Sequence, residues 1–182
     1  MTPPELSNGD RAALLGIARR ALLAHLGAAQ RMALPATGPL AERRGAFVTL
    51  HVDDTLRGCV GTFHPQGSLA ETVARMAVAA ATQDPRFLPL RADEVGALRI
   101  AVSALGATQL LEDRSALGIG RHGLLVRRGF HRGALLPRVA VDQGWDVEQF
   151  LKHACLKAGL PARAYLEPET VVEVFEAEEF EE

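Results

Sequence analysis

Cysteine, aromatic residues and lysine are all scarce in this chain of 182 residues, and each scarcity closes off a class of explanation. Two cysteines, Cys59 and Cys155, are too few for a disulfide scaffold, and they lie far apart in different kinds of element. No grouping of cysteine and histidine has zinc-finger spacing, and no cofactor is called for. Aromatic residues make up 5 % of the chain and the net charge is -2, which argues against nucleic acid as a partner, since the chain has few stacking platforms and no basic excess. No apolar run reaches the length that spans a bilayer. Met1-Thr2-Pro3-Pro4-Glu5 lacks the basic and apolar regions of a secretory signal, so a cytoplasmic location is expected. Only Lys152 and Lys157 are lysine among the 20 basic side chains. A GC-rich genome accounts for that bias, so the number of arginines carries no message about ligands.

What is present reads as a globular α+β chain, 48 % hydrophobic and long enough for one sizeable core or two small lobes. Ser7 caps a first helix whose apolar stripe is Leu14, Leu15, Ala18, Ala21, Leu22 and Leu26. Residues 46 to 52 alternate as a strand, Asp53-Asp54 supplies turn chemistry, and Leu56 to Phe63 returns as the second arm of a hairpin. Ser68 to Glu71 is a capping box opening a second helix, which Asp84-Pro85 stops. Strands are expected at Leu98 to Ala104 and Thr170 to Phe175, short ones in the glycine-rich middle, and a helix capped by Asp146 that ends at Gly159-Leu160-Pro161. Strands and helices do not alternate regularly, which argues against a doubly wound sheet.

The segment that reads most like a site is Leu56-Arg57-Gly58-Cys59-Val60-Gly61. In an extended strand Arg57, Cys59 and Phe63 share one face and Leu56, Val60 and Thr62 the other, unless the glycines bulge the strand and break that alternation. Gly58 and Gly61 would leave the thiol uncovered or let a partner backbone approach, and a nearby guanidinium favours thiolate. A packed, inert cysteine fits the same letters. Cys155 falls on the apolar stripe of its helix and is assigned to the core. Gly118 to Gly123 matches G-x-G-x-x-G, but Leu124-Leu125-Val126 continues as a strand and not as the helix a dinucleotide requires, so a glycine-rich turn is expected. His122 in that turn is a candidate base for the thiol. Asp84 and Arg86 could offer a carboxylate and a guanidinium to a ligand, or satisfy each other. Arg121 belongs to an acid-free stretch that would suit an anionic substrate, opposite in sign to the acidic run from Glu176 to Glu182, which reads as a solvated surface.

The hexapeptide also matches L-R-G-C-[IV]-G, the signature of AMMECR-type domains, called AmmeMemoRadiSam system protein A in prokaryotes. The resemblance runs through Gly45 to Leu50, Asp84-Pro85-Arg86-Phe87, Gly123-Leu124, Leu135 to Val139, Gly144-Trp145-Asp146 and Lys157 to Leu160. Arg138 stands where the family more often has Gln. The family has no well-defined reaction. What the resemblance implies is a large subdomain holding both termini and a smaller three-stranded one inserted in it, with the signature facing the cleft between them. Element count places the large part at residues 1–111 plus 168–182 and the insert at 112–167. Cys59, Arg57 and His122 are then the catalytic candidates, and Leu56, Gly58, Val60, Gly61, Asp84, Arg86 and Arg121 the substrate or partner contacts. The implied partners are a Memo-type protein and a radical SAM enzyme, with a peptide, protein or anionic small molecule in the cleft. The competing expectation is a non-catalytic adaptor.

Overall fold

A computed structural model describes residues 5–30 and 32–182; of the stretch Met1 to Glu5 read above, all but Glu5 lies outside the described residues. The chain divides into two compact units, residues 1–105 with 178–182, and residues 106–177.

In the first unit Ser7 and Asp10 form a reciprocal capping box, and helix α1 runs Asn8–His25 with Leu14, Ile17, Ala18 and Leu22 buried. Strands β1 (Ala46–Val52) and β2 (Thr55–Thr62) make the expected hairpin, turned by Asp53 and Asp54 at positive φ. Ser68 and Glu71 then cap α2, Leu69–Thr82, and strand β3 follows at Leu98–Leu105. Val48 and Leu50 of β1 and Ile100 and Val102 of β3 meet Leu14, Leu22, Leu69 and Val73 of the helices in one core. Each such side chain taken out of water contributes roughly 1.5–3 kcal/mol.

The second unit begins with β4 (Gln109–Leu110) and the hairpin β5 (Gly123–Arg128) and β6 (His131–Leu135). Two helices follow, α3 (Pro137–Asp142) and α4 (Val147–Lys157), the second capped by Asp146 and Gln149 as the sequence implies. Strand β7 (Val171–Phe175) returns between β4 and β5, giving the order β4-β7-β5-β6. Phe150, Leu151, Ala154 and Cys155 of α4 fill this core with Leu124 and Val126. Gly133 lets the end of α4 lie on β6, since a Cβ there would stand 2.4 Å from the Ala158 nitrogen.

The last strand, β8 (Ala177–Glu181), belongs to the first unit, whose sheet has the order β2-β1-β3-β8. The second unit is thus wider than residues 112–167, and its sheet has four strands where three are implied. The strand expected at 170–175 pairs in the second sheet, with β5. The acidic run expected to face water instead supplies β8, and its carboxylates enter the structure. Glu178 takes the Leu6 N–H at 2.9 Å and the guanidiniums of Arg11 at 3.3 Å and Arg44 at 3.1 Å. Glu182 takes the Arg19 Nε at 2.7 Å and the Ile100 N–H at 3.0 Å. Both cysteines are free thiols. No helix among the described residues is long and apolar enough to cross a membrane.

Candidate functional site

The placement of Cys59 is decided by one extra residue in β2. Val52 and His51 pair with Thr55 and Leu56, but Leu50 and Thr49 pair with Gly58 and Cys59, so the register shifts and Arg57 is left as the bulged residue. Without that bulge Cys59 would stand opposite Val48, on the face that packs against the helices. A one-residue slip exchanges the faces of a strand. The bulge therefore turns Cys59 to the outer face with Thr49 and sends Gly58 and Val60 inward, where Val60 packs on the core. Leu56, expected on the opposite face from the thiol, joins it.

Arg57 itself is drawn away. Its Nε and Nη2 grip the two oxygens of Glu94 at 2.7 and 3.1 Å, and its guanidinium also donates to the carbonyls of Leu88 and Pro89 at 2.8 and 3.2 Å. The arginine expected to stabilise the thiolate is a clamp on the loop before β3. The glycines are also occupied from within. A Cβ on Gly58 would stand 2.1 Å from the Ala80 carbonyl oxygen, so α2 lies directly on the strand; one on Gly61 would stand 2.2 Å from the Phe47 ring. Phe47 in turn meets Phe63 edge-on, ring centroids 5.5 Å apart. Both glycines are thus accounted for by contacts within the chain.

A different arginine takes the expected place. Asp84, Pro85, Arg86 and Phe87 form a turn in which Phe87 N–H donates to the Asp84 carbonyl at 3.1 Å. Proline at the second position and an aspartate at the first are what such a turn favours. The Asp84 side chain then accepts four hydrogen bonds: Arg86 N–H and Nε on Oδ1 at 3.1 and 3.0 Å, Arg86 Nη2 on Oδ2 at 2.7 Å, and the Cys59 N–H on Oδ2 at 2.8 Å. Because β2 is an edge strand, this N–H would otherwise point into solvent; Asp84 stands where the carbonyl of a neighbouring strand would be. An outward N–H also makes Thr49 and Cys59 a non-hydrogen-bonded pair, the kind in which side chains approach most closely. Accordingly Thr49 Oγ1 donates to Cys59 Sγ at 3.2 Å.

Electrostatics follow from these contacts. Hydrogen bonds from the Arg86 guanidinium hold the Asp84 carboxyl well below the usual range despite its burial, and the Cys59 and Arg86 N–H groups add to the effect. Asp84, and more weakly the charge of an ionised Cys59, raises the Arg86 pKa further. The Asp84 side chain is 3 % exposed and that of Arg86 56 %. Arg86 Nη1 makes no hydrogen bond among the described residues. A half-buried thiol thus has a hydroxyl on its sulfur, an acid on its backbone and a solvent-facing guanidinium beside it.

His122 and Arg121 belong to the second unit. His122 Nδ1 accepts the Gly118 N–H at 3.1 Å, and Arg121 holds Glu176 at 2.7 Å. Gly118 to His122 is a turn, with Gly120 at φ +80, and β5 follows it, so the dinucleotide pattern is a turn as expected. Cys155 is fully buried and its burial pushes the thiol pKa up.

The chain is matched over residues 15–180 by the family described as AMMECR1. This protein belongs to the AMMECR1 family. Among AMMECR1-family relatives, Protein MK0488 of Methanopyrus kandleri is 45 % identical, covering 93 % of this chain and 86 % of its own. A protein of Methanothermobacter thermautotrophicus is 40 % identical, covering 97 % and 96 %. The crystal structure of an uncharacterised protein of Pyrococcus horikoshii, PH0010, superposes with a TM-score of 0.86 at 38 % identity, covering 94 % of this chain and 91 % of that one. The Leu56 to Gly61 hexapeptide and the Asp84 to Phe87 turn thus meet in one place, while Thr49, which nothing in the hexapeptide marks, completes the site.

Proposed function

We propose that this AMMECR1-family chain acts through the Cys59 thiol as nucleophile or redox-active group, with Arg86 receiving an anionic group of the substrate beside it. The observation that carries this reading is the shared carboxylate. One buried acid, Asp84, bonds both to the backbone of the thiol residue and to a guanidinium that is more than half exposed. The Thr49 hydroxyl donates to the sulfur and fixes its position on the outer face of the hairpin. Arg57, expected to stabilise the thiolate or bind an anionic group, takes neither role, because its guanidinium is committed to Glu94.

Two alkylating reagents of equal size and unlike charge test the pairing of thiol and guanidinium. The charge of Arg86 interacts with Cys59 across space, and a unit charge at such range in water contributes on the order of 0.5–1 kcal/mol, roughly a two- to fivefold bias. Anionic iodoacetate should therefore be favoured at Cys59, relative to neutral iodoacetamide, by about that factor over Arg86→Gln, and high salt should erase the difference. Cys155 should stay unlabelled in the native chain. Equal ratios in wild type and Arg86→Gln would defeat the proposal.

The exposed guanidinium favours a second reading, in which Arg86 docks an acidic partner and the thiol is a bystander. The Memo-type protein and radical SAM enzyme implied by the resemblance are the partners this reading would test. Loss of complex formation in Arg86→Gln with none in Cys59→Ser would select it.

A further inference from the structure

On the helical side of the first unit, α1 and α2 leave a pocket of about 410 Å³ that has no part in the thiol site. Its volume falls within the range of small-molecule sites. It exists because the facing positions are small: Ala21 and Ala24 of α1 stand across from Ala74 of α2, with Ile17, Val78 and Leu34 completing an apolar wall. Met32 at its margin is 42 % exposed, so the wall is open to solvent.

Two guanidiniums line this apolar space, Arg20 from α1 and Arg75 from α2. Neither makes a hydrogen bond or ion pair among the described residues. That sets them apart within their unit, where Arg11, Arg19, Arg44, Arg57, Arg91 and Arg99 each hold a carboxylate. Glu71 is the one carboxylate of the lining, and it turns to the α2 N-terminus, where its Oε2 accepts the Ser68 N–H at 2.7 Å, without pairing with either arginine among the described residues. The lining therefore combines apolar surface with two guanidiniums and one carboxylate, the guanidiniums in excess. Guanidinium groups bind carboxylate and phosphate through paired N–H donors. A bare inorganic anion would leave the wall wet, and a neutral hydrocarbon would leave the arginines unused.

We propose that the pocket between α1 and α2 binds a small amphiphilic anion, its acyl or aryl body on the alanine-lined wall and its carboxylate or phosphate head between Arg20 and Arg75. Titration of the full chain with octanoate, octyl phosphate and octan-1-ol, followed by amide chemical shifts, tests this. At least one anion should bind and shift α1 and α2 amides around Ala21 and Ala74, and the alcohol should bind at least about tenfold more weakly, as expected for loss of a charge-assisted hydrogen bond. The preferred head, carboxylate or phosphate, identifies the ligand class. The double variant Arg20→Gln with Arg75→Gln should lose about tenfold in affinity with its melting temperature unchanged, and Ala74→Leu, which fills the space, should abolish binding in a chain that remains folded. Octan-1-ol binding as well as the anions, no shift with either anion at millimolar concentration, or full affinity in the double arginine variant would overturn the proposal. So would adsorption to phosphatidylglycerol vesicles by a chain that ignores both octanoate and octyl phosphate, since that marks a membrane-facing surface and not a pocket.

Discussion

Gly58→Ala is the sharpest test of how the signature is built. The added Cβ would stand 2.1 Å from the Ala80 carbonyl oxygen and 3.0 Å from its carbon, both backbone atoms of α2. No rotamer change relieves a clash with a helix backbone, so α2 and β2 must part by about 1 Å, which forfeits a quarter to a half of each dispersion contact across the gap. Overfilling a packed core costs roughly 1–3 kcal/mol, and a backbone obstacle puts this case at the top, about 3 kcal/mol. Unfolding entropy is about 2.1 cal/mol/K per residue. For the roughly 110 residues of the first unit the loss corresponds to about 13 °C in Tm. Gly16→Ala is the matched control: it lies within α1, a Cβ there meets nothing within 4 Å, and the change should raise stability by about 0.5–1 kcal/mol. Calorimetry of the two variants against wild type decides the matter. A Gly58→Ala chain melting within about 3 °C of wild type would refute the close seating of the helix, and would return the glycine to the role of making room for a partner.

Replacing Arg57 by Met should lower stability by about 2 kcal/mol, since Glu94 loses its partner, yet leave the rate of Cys59 alkylation unchanged. A changed rate would restore Arg57 to the thiol site. Asp84 titrates below the ordinary carboxylate pKa of about 3.9 in the folded chain, so its stabilising effect is full above that pH and is lost as pH falls through the depressed value. Urea unfolding between pH 5 and pH 3 should therefore show a shallower loss of stability in Asp84→Asn than in wild type. Glu178→Ala should destabilise by about 2–3 kcal/mol because it removes the acid that meets buried Arg44, whereas Glu176→Ala, which frees only exposed Arg121, should change stability by less than about 0.5 kcal/mol.

Local chemistry was legible in the sequence wherever a side chain answers its own neighbours. The three capping boxes at Ser7, Ser68 and Asp146, the hairpin turn at Asp53-Asp54 and the glycine turn before β5 all fall where the residues imply. The site was half legible: Cys59, Asp84 and Arg86 do meet, but through a register that strict alternation misassigns. A bulge leaves no letter of its own; Arg57 is recruited out of the ladder by Glu94, thirty-seven positions later. Thr49 is invisible for the same reason, since only the shifted register places it across from Cys59. The acidic β8 defeats a reading by charge because Arg11, Arg19 and Arg44, which neutralise it, are distant in the chain. The six-residue α3 begins directly at Pro137, where proline suits a first turn, but it is too short to show a periodic stripe.

The position of β8 has a consequence for the order of events during synthesis. Everything from Gly106 to Ala177 must be made after β3 and before the strand that flanks it. At 5–20 residues per second, that interval is roughly 4–14 seconds on a translating ribosome. Throughout it the nascent first unit presents an unpaired β3 edge, bordered by arginines whose acids do not yet exist. The second unit, contiguous in the chain, needs no such wait. The lobe encoded first is therefore the one completed last, and its open edge is the surface on which chaperones or misassembly would act.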